Sequence, residues 1–194
     1  MNYLNPVYEG KEQELQKQFL SNKPFPHLVL KNIFKEKLIE QLKKEIQSVT
    51  LKEKETDLFA FKQSQDLSSI NNKTIKECYK MLSSKDFIHF IEQVTNTKLT
   101  HKIDASIFRY EETDHLLPHD DHLESRKVAF TLYLSKEKIE GGHLQFFEGN
   151  KIIKSIEPSY NTLVLFTVEE GKTIHQVSEV IMGSRYSIAG WFHA

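Results

Sequence analysis

Four polar side chains that can bind a metal ion stand in a row: His119, Asp120, Asp121 and His122, within the stretch LLPHDDHLESRKVAFTLYL. In an extended strand, alternate side chains point to opposite faces. Either His119 with Asp121 or Asp120 with His122 can therefore bind one ion together. A solvated turn can contain the same residues, so this stretch alone leaves a metal site and a turn both open.

A third candidate ligand and a basic residue lie downstream. His175 stands in the strand-like segment GKTIHQVSEV, and Arg185 follows ten residues later in RYSIAGWFHA. A guanidinium is always charged and is rarely buried without an anion. Arg185 therefore needs a negatively charged partner, and Ser187, on the same face of the strand, can donate a hydroxyl to that partner.

Two histidines and one carboxylate on neighbouring strands form the facial triad that holds non-haem Fe(II) and leaves positions open, as oxygenases require. A dicarboxylate cosubstrate could reach the iron at one end and the guanidinium fork at the other. The same ligands also suit a hydrolytic zinc site, which leaves Arg185 and Ser187 without a role. A jelly-roll module that binds a metal or ligand without catalysis is a further alternative.

The elements that must position these residues change character near residue 100. Helical periodicity and capping residues predict helices over KEKLIEQLKKEIQSV, NKTIKECYKMLSS and SKDFIHFIEQVTN, after a short strand in KPFPHLVLKNIF. From residue 101, short runs rich in Val, Ile, Thr, Phe and Tyr alternate with turn residues. Strands without helices between them predict antiparallel pairing in a sandwich, barrel or jelly roll, with helices on one face.

Composition limits the classes of protein. The chain has 194 residues, a net charge of -1 and one cysteine. Basic residues are spread along the chain, so no nucleic-acid or membrane surface is predicted. With no apolar run long enough to cross a bilayer, and with Cys78 as the single thiol, we expect a soluble cytoplasmic protein. We interpret Cys78 as a packing residue.

The motifs carry a resemblance to a known family. H-x-D, a histidine 54 residues after the aspartate and R-x-S ten residues later resemble the Fe(II)- and 2-oxoglutarate-dependent dioxygenases of the prolyl hydroxylase branch. FRYEETDHLLPHDDHLESRKVAFTLYL, IEGGHLQFFE and HQVSEVIMGSRYSIAGWFHA are most similar to the catalytic domain of eukaryotic ribosomal-protein prolyl 3-hydroxylases. The resemblance implies an α+β fold: a double-stranded β-helix, or jelly roll, of antiparallel strands with N-terminal helices packed on one face.

The resemblance also implies a role for each matching residue. His119, Asp121 and His175 would be the catalytic iron ligands, which favours H-x-D over D-x-H, and Arg185 would anchor 2-oxoglutarate with Ser187 beside it. The implied cofactor is Fe(II), with 2-oxoglutarate and O2 as cosubstrates and ascorbate as an optional reductant. The implied reaction is hydroxylation.

Four further residues could belong either to the site or to the general structure of the protein. Tyr110 and Tyr133 match tyrosines that bind or line the 2-oxoglutarate pocket in the family, with core packing as the alternative. Trp191 suits either the pocket or the core. For Arg126 we favour a surface salt bridge over contact with a peptide substrate.

The substrate implied by the resemblance is a protein or peptide containing proline, with a small-subunit ribosomal protein as the leading candidate. A translation or transcription factor, a free amino acid or another small molecule are alternatives. No direct nucleic-acid or membrane partner is expected, and nuclear access is compatible with a eukaryotic source. The sequence does not indicate an oligomeric state or a choice between C3 and C4 of proline.

We expect residues 1–194 to form a single dioxygenase domain, with residues 1–100 as a helical support region and 101–194 as the jelly-roll core that holds the active site. The family members carry a second jelly-roll domain beyond the segment GWFHA, so this chain is expected to be a catalytic fragment or a single-domain relative. Residues 54–72 are polar with isolated aromatics, and we interpret them as a surface connection in preference to a mobile loop over the substrate.

Overall fold

Helices dominate the first part of the chain and strands the second. The computed structural model describes residues 3–194. Its α-helices are α1 (Glu12–Ser21), α2 (Glu36–Ile46), α3 (Lys73–Leu82) and α4 (Lys85–Thr95). Its strands are β1 (His27–Lys31), β2 (Lys52–Thr56), β3 (Phe59–Asp66), β4 (Ile103–Tyr110), β5 (His115–His119), β6 (Arg126–Tyr133), β7 (Glu140–Gly141), β8 (Leu144–Glu148), β9 (Lys151–Ile156), β10 (Thr162–Thr167), β11 (His175–Val177), β12 (Val180–Met182) and β13 (Arg185–His193).

All strand pairs are antiparallel. The main sheet has the order β1-β10-β6-β13-β4-β3-β5-β11-β8-β9, with β2 paired to β3, while β7 and β12 form a separate ribbon. The sheet curls, because Phe146 of β8 packs on Phe166 of β10 with 5.2 Å between ring centroids, although these strands are far apart in the strand order. The inner face of this jelly roll encloses a pocket, and the outer face carries the helices.

Period-two alternation along the strands separates these two faces. On β4, the buried residues Ile103, Ala105 and Ile107 pack in the same core cluster as residues of all four helices. The residues between them, such as Ser106 and Phe108, are only half buried and lie on the inner face. The strands thus offer one apolar face to the helices and leave the other for the pocket.

The helices predicted from periodicity are confirmed. The Asn72 side chain accepts a hydrogen bond from the Ile75 amide at the start of α3, and Ser84 accepts one from the Phe87 amide at the start of α4. Such caps satisfy amides that have no partner within the helix. No helix within residues 3–194 is both long enough and apolar enough to cross a membrane.

Residues 54–72 differ from the surface connection expected from the sequence. Most of this segment belongs to the hairpin β2–β3, which is followed by a short 3-10 helix at Leu67–Ser69. Its exposed face is polar because one side of the hairpin meets solvent, whereas Phe61 packs on Tyr110 with 5.4 Å between ring centroids. The short strand predicted in KPFPHLVLKNIF is β1, and the hairpin adds two strands that were not predicted in residues 1–100.

Candidate active site

Paired strands bring the two predicted histidine ligands together. His119 ends β5 and His175 begins β11, and the two residues lie directly opposite each other. Asp121 lies in the loop after β5, with Oδ1 3.5 Å from His119 Nε2 and Oδ2 3.3 Å from His175 Nε2. One ligand atom from each residue lies within 4.8 Å of the others. Since metal–ligand bonds of about 2.0–2.2 Å bring the ligands of one ion about 3–4 Å apart, one ion can bind all three.

Backbone hydrogen bonds orient both imidazole rings. The Nδ1 of His119 lies 2.8 Å from the Leu117 carbonyl oxygen, and the Nδ1 of His175 lies 2.9 Å from the Thr173 carbonyl oxygen. A carbonyl only accepts, so each Nδ1 carries the proton and donates it. The Nε2 atoms, which face Asp121, are therefore available as metal ligands.

The electrostatics of the three residues favour an ionised carboxylate. Burial raises the pKa of Asp121, but the neighbouring side chains of His119 and His175 more than offset this and hold the pKa far below its ordinary range. Burial lowers the pKa of His119, but the neighbouring Asp121 raises it, and the net shift of this pKa is upward. Asp121 therefore offers an ionised carboxylate that attracts positive charge.

A buried cation lies deeper in the same pocket. Arg185, at the start of β13, is 2% exposed and lies opposite Tyr110 of β4. Its guanidinium carbon is 4.7 Å from the ring centroid of Tyr110 and 5.1 Å from that of Tyr133. Ser187, two residues along β13, lies opposite Tyr133 on β6 and is also buried.

The cluster around Arg185 contains polar atoms without partners. Among residues 3–194, no hydrogen-bond partner is found for the buried Nε and Nη1 of Arg185, the hydroxyl of Tyr133 or the Oγ of Ser187, and Arg185 forms no ion pair. Burial raises the pKa of Tyr110 to about 12 and also raises that of Tyr133, so both phenols keep their protons. Unsatisfied buried donors are costly, and a bound carboxylate would satisfy them.

Comparison with known proteins gives the family. Residues 105–193 match the 2OG-Fe(II) oxygenase superfamily, and this range contains every ligand candidate described above. The chain contains a 2OG-Fe(II) oxygenase domain. The superfamily that the motifs indicate is therefore confirmed for this domain, and Fe(II), 2-oxoglutarate and O2 are the reactants that this superfamily uses.

Curated relatives resemble this chain along most of its length. The chain is 39% identical over 185 residues to "Prolyl 3-hydroxylase OGFOD1" of Xenopus laevis, with 90% of this chain and 36% of the relative covered. It is 32% identical over 196 residues to "Prolyl 3,4-dihydroxylase OGFOD1" of Ostreococcus tauri, with 88% and 38% covered. The chain thus spans little more than a third of these relatives.

The solved structures share the fold. A Pseudomonas putida prolyl-4-hydroxylase superposes with a TM-score of 0.76 at 18% identity, covering 92% of this chain and 98% of its own. A Trichoplax adhaerens prolyl hydroxylase in complex with a hypoxia inducible factor peptide fragment gives a TM-score of 0.74 at 16% identity, covering 97% and 93%. The jelly roll predicted from the sequence is confirmed.

The pocket of the oxygenase domain encloses about 230 Å³ between the His119–Asp121–His175 cluster and Arg185. Its walls are largely aromatic and aliphatic, including Phe61, Phe108, Leu116, Phe166 and Val177. Phe61 and Gln63 were missed in the sequence because their strand, β3, was read as a surface connection. Alternation in FAFKQSQD was the available signal.

The other two residues of the HDDH run, Asp120 and His122, do not belong to the His119–Asp121–His175 cluster. Asp120 Oδ2 accepts a hydrogen bond from the Gly171 amide at 2.9 Å, and Oδ1 accepts one from the His122 amide at 3.2 Å. His122 itself is exposed. The structure therefore groups His119 and Asp121 with His175, whereas Asp120 links the loop after β5 to the turn before β11.

Arg126 and Trp191 stack on each other at the edge of the pocket. The guanidinium carbon of Arg126 lies 3.5 Å from the indole centroid, and Arg126 Nη1 donates to the Asp121 carbonyl oxygen at 3.2 Å. The surface salt bridge favoured for Arg126 was wrong, because no carboxylate of residues 3–194 pairs with it. The indole of Trp191 occupies the space instead, and Trp191 lines the pocket.

Proposed function

We propose that this chain is an Fe(II)- and 2-oxoglutarate-dependent dioxygenase that hydroxylates a prolyl residue of a protein. One observation carries the proposal: a buried guanidinium without an anion shares a small pocket with three residues arranged to bind one metal ion. A zinc hydrolase would use the three ligands but leave Arg185 unexplained. A dicarboxylate cosubstrate that binds the metal at one end and Arg185 at the other explains both the three ligands and the buried guanidinium.

In this proposal each residue has a defined task. His119 and His175 would hold Fe(II) through their Nε2 atoms and Asp121 through a carboxylate oxygen. When bound, Fe(II) with 2-oxoglutarate and O2 supplies the oxidation that places a hydroxyl group on a C–H bond, with succinate and CO2 as coproducts. The backbone acceptors of Leu117 and Thr173 keep the imidazoles in the tautomer that the metal needs.

The second group of residues binds the cosubstrate. Arg185 would pair with the carboxylate of 2-oxoglutarate that lies away from the metal, and Ser187 and Tyr133 would donate their hydroxyls to it. Tyr110 packs over the guanidinium and contributes a protonated phenol to the same pocket. Aromatic side chains around this group keep water out, which strengthens the ion pair.

A prolyl substrate is supported by the relatives, whose names state prolyl 3-hydroxylase or prolyl 3,4-dihydroxylase. We propose that the substrate of this chain is also a polypeptide, with a small-subunit ribosomal protein as the candidate that the sequence resemblance suggests. Next to Asp121, Arg126 stacks on Trp191 of the pocket wall and donates to the Asp121 carbonyl oxygen.

We also propose that residues 1–194 act as a single catalytic domain, in which 1–100 supports the core formed by 101–194. Strands β1, β2 and β3 of the first region pair within the same sheet as the strands of the second, which supports this unit. A cytoplasmic location completes the proposal, since the one cysteine, Cys78, is a buried free thiol, as expected in a reducing compartment.

The test compares the wild-type protein with Asp121→Ala and with the control Asp86→Ala, which changes an exposed carboxylate on α4. Under anaerobic conditions, the wild type and the control should develop a visible absorption band only when Fe(II) and 2-oxoglutarate are both added. In air, they should form succinate and add the mass of one oxygen atom to a prolyl residue in small-subunit ribosomal proteins. Asp121→Ala should lose all three signals.

Two results would redirect the proposal. Metal binding without succinate formation would favour the non-catalytic binding module. Succinate formation that is coupled to a free amino acid, and to no polypeptide, would favour the small-molecule hydroxylase. Sequencing the modified peptide fragments and comparing them with authentic hydroxyproline isomers would separate C3 from C4 hydroxylation.

A further inference from the structure

Strand β2 places two lysines on the pocket side of the sheet. Its pairing with β3 sets Lys52 opposite Gln63 and Lys54 opposite Phe61. Residues that are directly opposite in an antiparallel pair lie on the same face. Because Phe61 and Gln63 line the active-site pocket, Lys52 and Lys54 also lie on the inner face, beyond the edge of the pocket.

The alternating sequence KEKET separates the charges of this strand. Glu53 and Glu55 alternate with the lysines, so they lie on the opposite face, where Glu53 is opposite Lys62. Lys62 forms an ion pair with Glu111. Lys52 and Lys54 are exposed and form no ion pair with any of residues 3–194. The pocket side of β2 is therefore left with unpaired positive charge.

One continuous row of residues connects these lysines to the proposed cosubstrate site. Ser187 of β13 lies opposite Phe108 of β4, Phe108 lies opposite Gln63 of β3, and Gln63 lies opposite Lys52 of β2. Each step between neighbouring strands is about 4.8 Å, so the three steps span about 14 Å. The row thus leads from the pocket to Lys52 on β2, which among the described strands pairs only with β3.

A polar cleft of about 660 Å³ lies along the end of this row and shares Gln63 with the active-site pocket. Its walls carry hydroxyl and amide groups, including Ser106, Gln65 and Asn71, beside both lysines. Asp66 is the one carboxylate among the described residues that line the cleft. Its Oδ1 accepts from Ser68 and its Oδ2 accepts from the Ala105 amide.

We infer that Lys52, Lys54, Gln63 and Ser106 form a basic shelf that binds an acidic residue of the polypeptide substrate. This inference rests on the proposed function and adds a recognition element to it. An extended peptide advances about 3.3 Å per residue, so the row of about 14 Å from the cosubstrate site to Lys52 corresponds to about four or five residues, and this length bounds the distance between the proline in the pocket and an acidic residue on the shelf. The shelf thus selects substrates by a charge close to the proline.

The experiment uses labelled peptides that contain one proline. Two peptides carry a pair of glutamates four and five positions before or after the proline, and two matched peptides carry glutamines in their place. Binding is measured by fluorescence anisotropy with the wild type, with Lys52→Glu/Lys54→Glu and with the matched control Glu53→Gln/Glu55→Gln from the opposite face of β2. Single-stranded RNA is titrated in parallel.

We expect one glutamate peptide to bind the wild type about tenfold more tightly than its glutamine partner, with the difference reduced by added salt. The control should keep this preference and the double lysine variant should lose it. Equal binding of glutamate and glutamine peptides on both sides of the proline would overturn the inference. An RNA affinity that depends on Lys52 and Lys54, without any peptide preference, would also overturn it.

Failure of the proposed function would look different. It would appear as a lack of 2-oxoglutarate turnover with every prolyl polypeptide, whether or not the glutamate peptides bind. Turnover without a preference for the glutamate peptides would instead refute the basic shelf and leave the proposed dioxygenase activity intact.

Discussion

Arg185 is kept in the interior by the strand that carries it and not by an ion pair. Its backbone lies in β13, between β4 and β6, and aromatic rings of Tyr110 and Tyr133 flank the guanidinium. A buried charge without a counterion is unfavourable, and the stability of the rest of the protein must offset this cost. A residue that is poor for folding and well placed for an anion is typical of a binding site.

Arg185→Met should therefore separate binding from stability. Loss of the bidentate, charge-assisted contact should weaken 2-oxoglutarate binding by about 2–3 kcal/mol, or roughly 100-fold, in calorimetric titration with metal present. Without ligands, the variant should unfold at a higher denaturant concentration than the wild type, since the buried charge is removed. Arg185→Lys keeps the charge but not the fork, and it should recover only part of the affinity. Wild-type affinity in Arg185→Met would refute the assigned role.

Cys78 is the opposite case, a residue that could react but is held in the core. Burial raises the pKa of its thiol from 9.0 to about 12. Iodoacetamide at pH 8 should therefore label the folded protein far more slowly than the unfolded protein. Between about pH 9 and 12 the unfolded thiol ionises first, so the free energy of unfolding should fall with rising pH more steeply in the wild type than in Cys78→Ala. Rapid labelling of the folded protein would contradict this.

At the scale of elements, the site depends on two short strands and the loops beside them. β5 and β11 place His119 and His175 opposite each other, but Asp121 lies outside any strand. Its loop is held through Asp120, whose carboxylate accepts from the Gly171 amide, and through Arg126, which donates to the Asp121 carbonyl oxygen. Gly171 has a φ of +65°, a conformation that favours glycine.

Asp120→Ala should lower metal affinity although Asp120 is not a ligand in the proposal. Loss of the link to the Gly171 amide frees the loop that carries Asp121, and groups that orient metal ligands are typically worth about 10–100-fold in affinity. Co(II) titration followed by absorption would measure the change, with Asp114→Ala as a control for losing another aspartate that accepts a backbone hydrogen bond. A variant with unchanged Co(II) affinity would show that the ligand set does not need this link.

The elements that could be predicted from the sequence are those with a local signal. Helices α3 and α4 have their caps at Asn72 and Ser84, and apolar periodicity gives their buried faces. The hairpin β2–β3 has only a weak local signal, the alternation in FAFKQSQD, because every residue of its polar strand β2 is exposed and β3 pairs with β4, about 40 or more positions along the chain. The candidate ligand residues could be proposed from the sequence because their chemistry is specific. Their grouping around one point depends on pairing between β5 and β11, which no local pattern encodes.

At the scale of the whole molecule, the helices and the pocket lie on opposite faces of one sheet. Phe87 of α4 is fully buried and packs among Tyr3, Phe34 and Phe192, with ring centroids 5.8–6.3 Å apart. Phe192 belongs to β13, the strand that also carries Arg185. The helical layer thus supports the site strand from behind without contributing to the pocket.

Phe87→Ala should lower the free energy of unfolding by about 3–5 kcal/mol, the usual cost of removing a buried aromatic side chain. In the fraction that remains folded, 2-oxoglutarate affinity should stay within about twofold of the wild type, because the pocket lies on the other face. Chemical denaturation and calorimetry would measure the two quantities. Val7→Ala, at an exposed apolar position, serves as the control and should change stability little. A large loss of affinity in folded Phe87→Ala would show that the two faces are coupled.

The alternation of β13 has a consequence for how this protein can evolve. Arg185, Ser187, Ala189 and Trp191 face the pocket, whereas Ile188 and Phe192 pack with the helices. Selection on substrate and selection on folding therefore act on neighbouring codons but on different residues. A lineage could change its substrate through every second position of this strand while the intervening positions stay constant, so divergence in chemistry need not erode the fold.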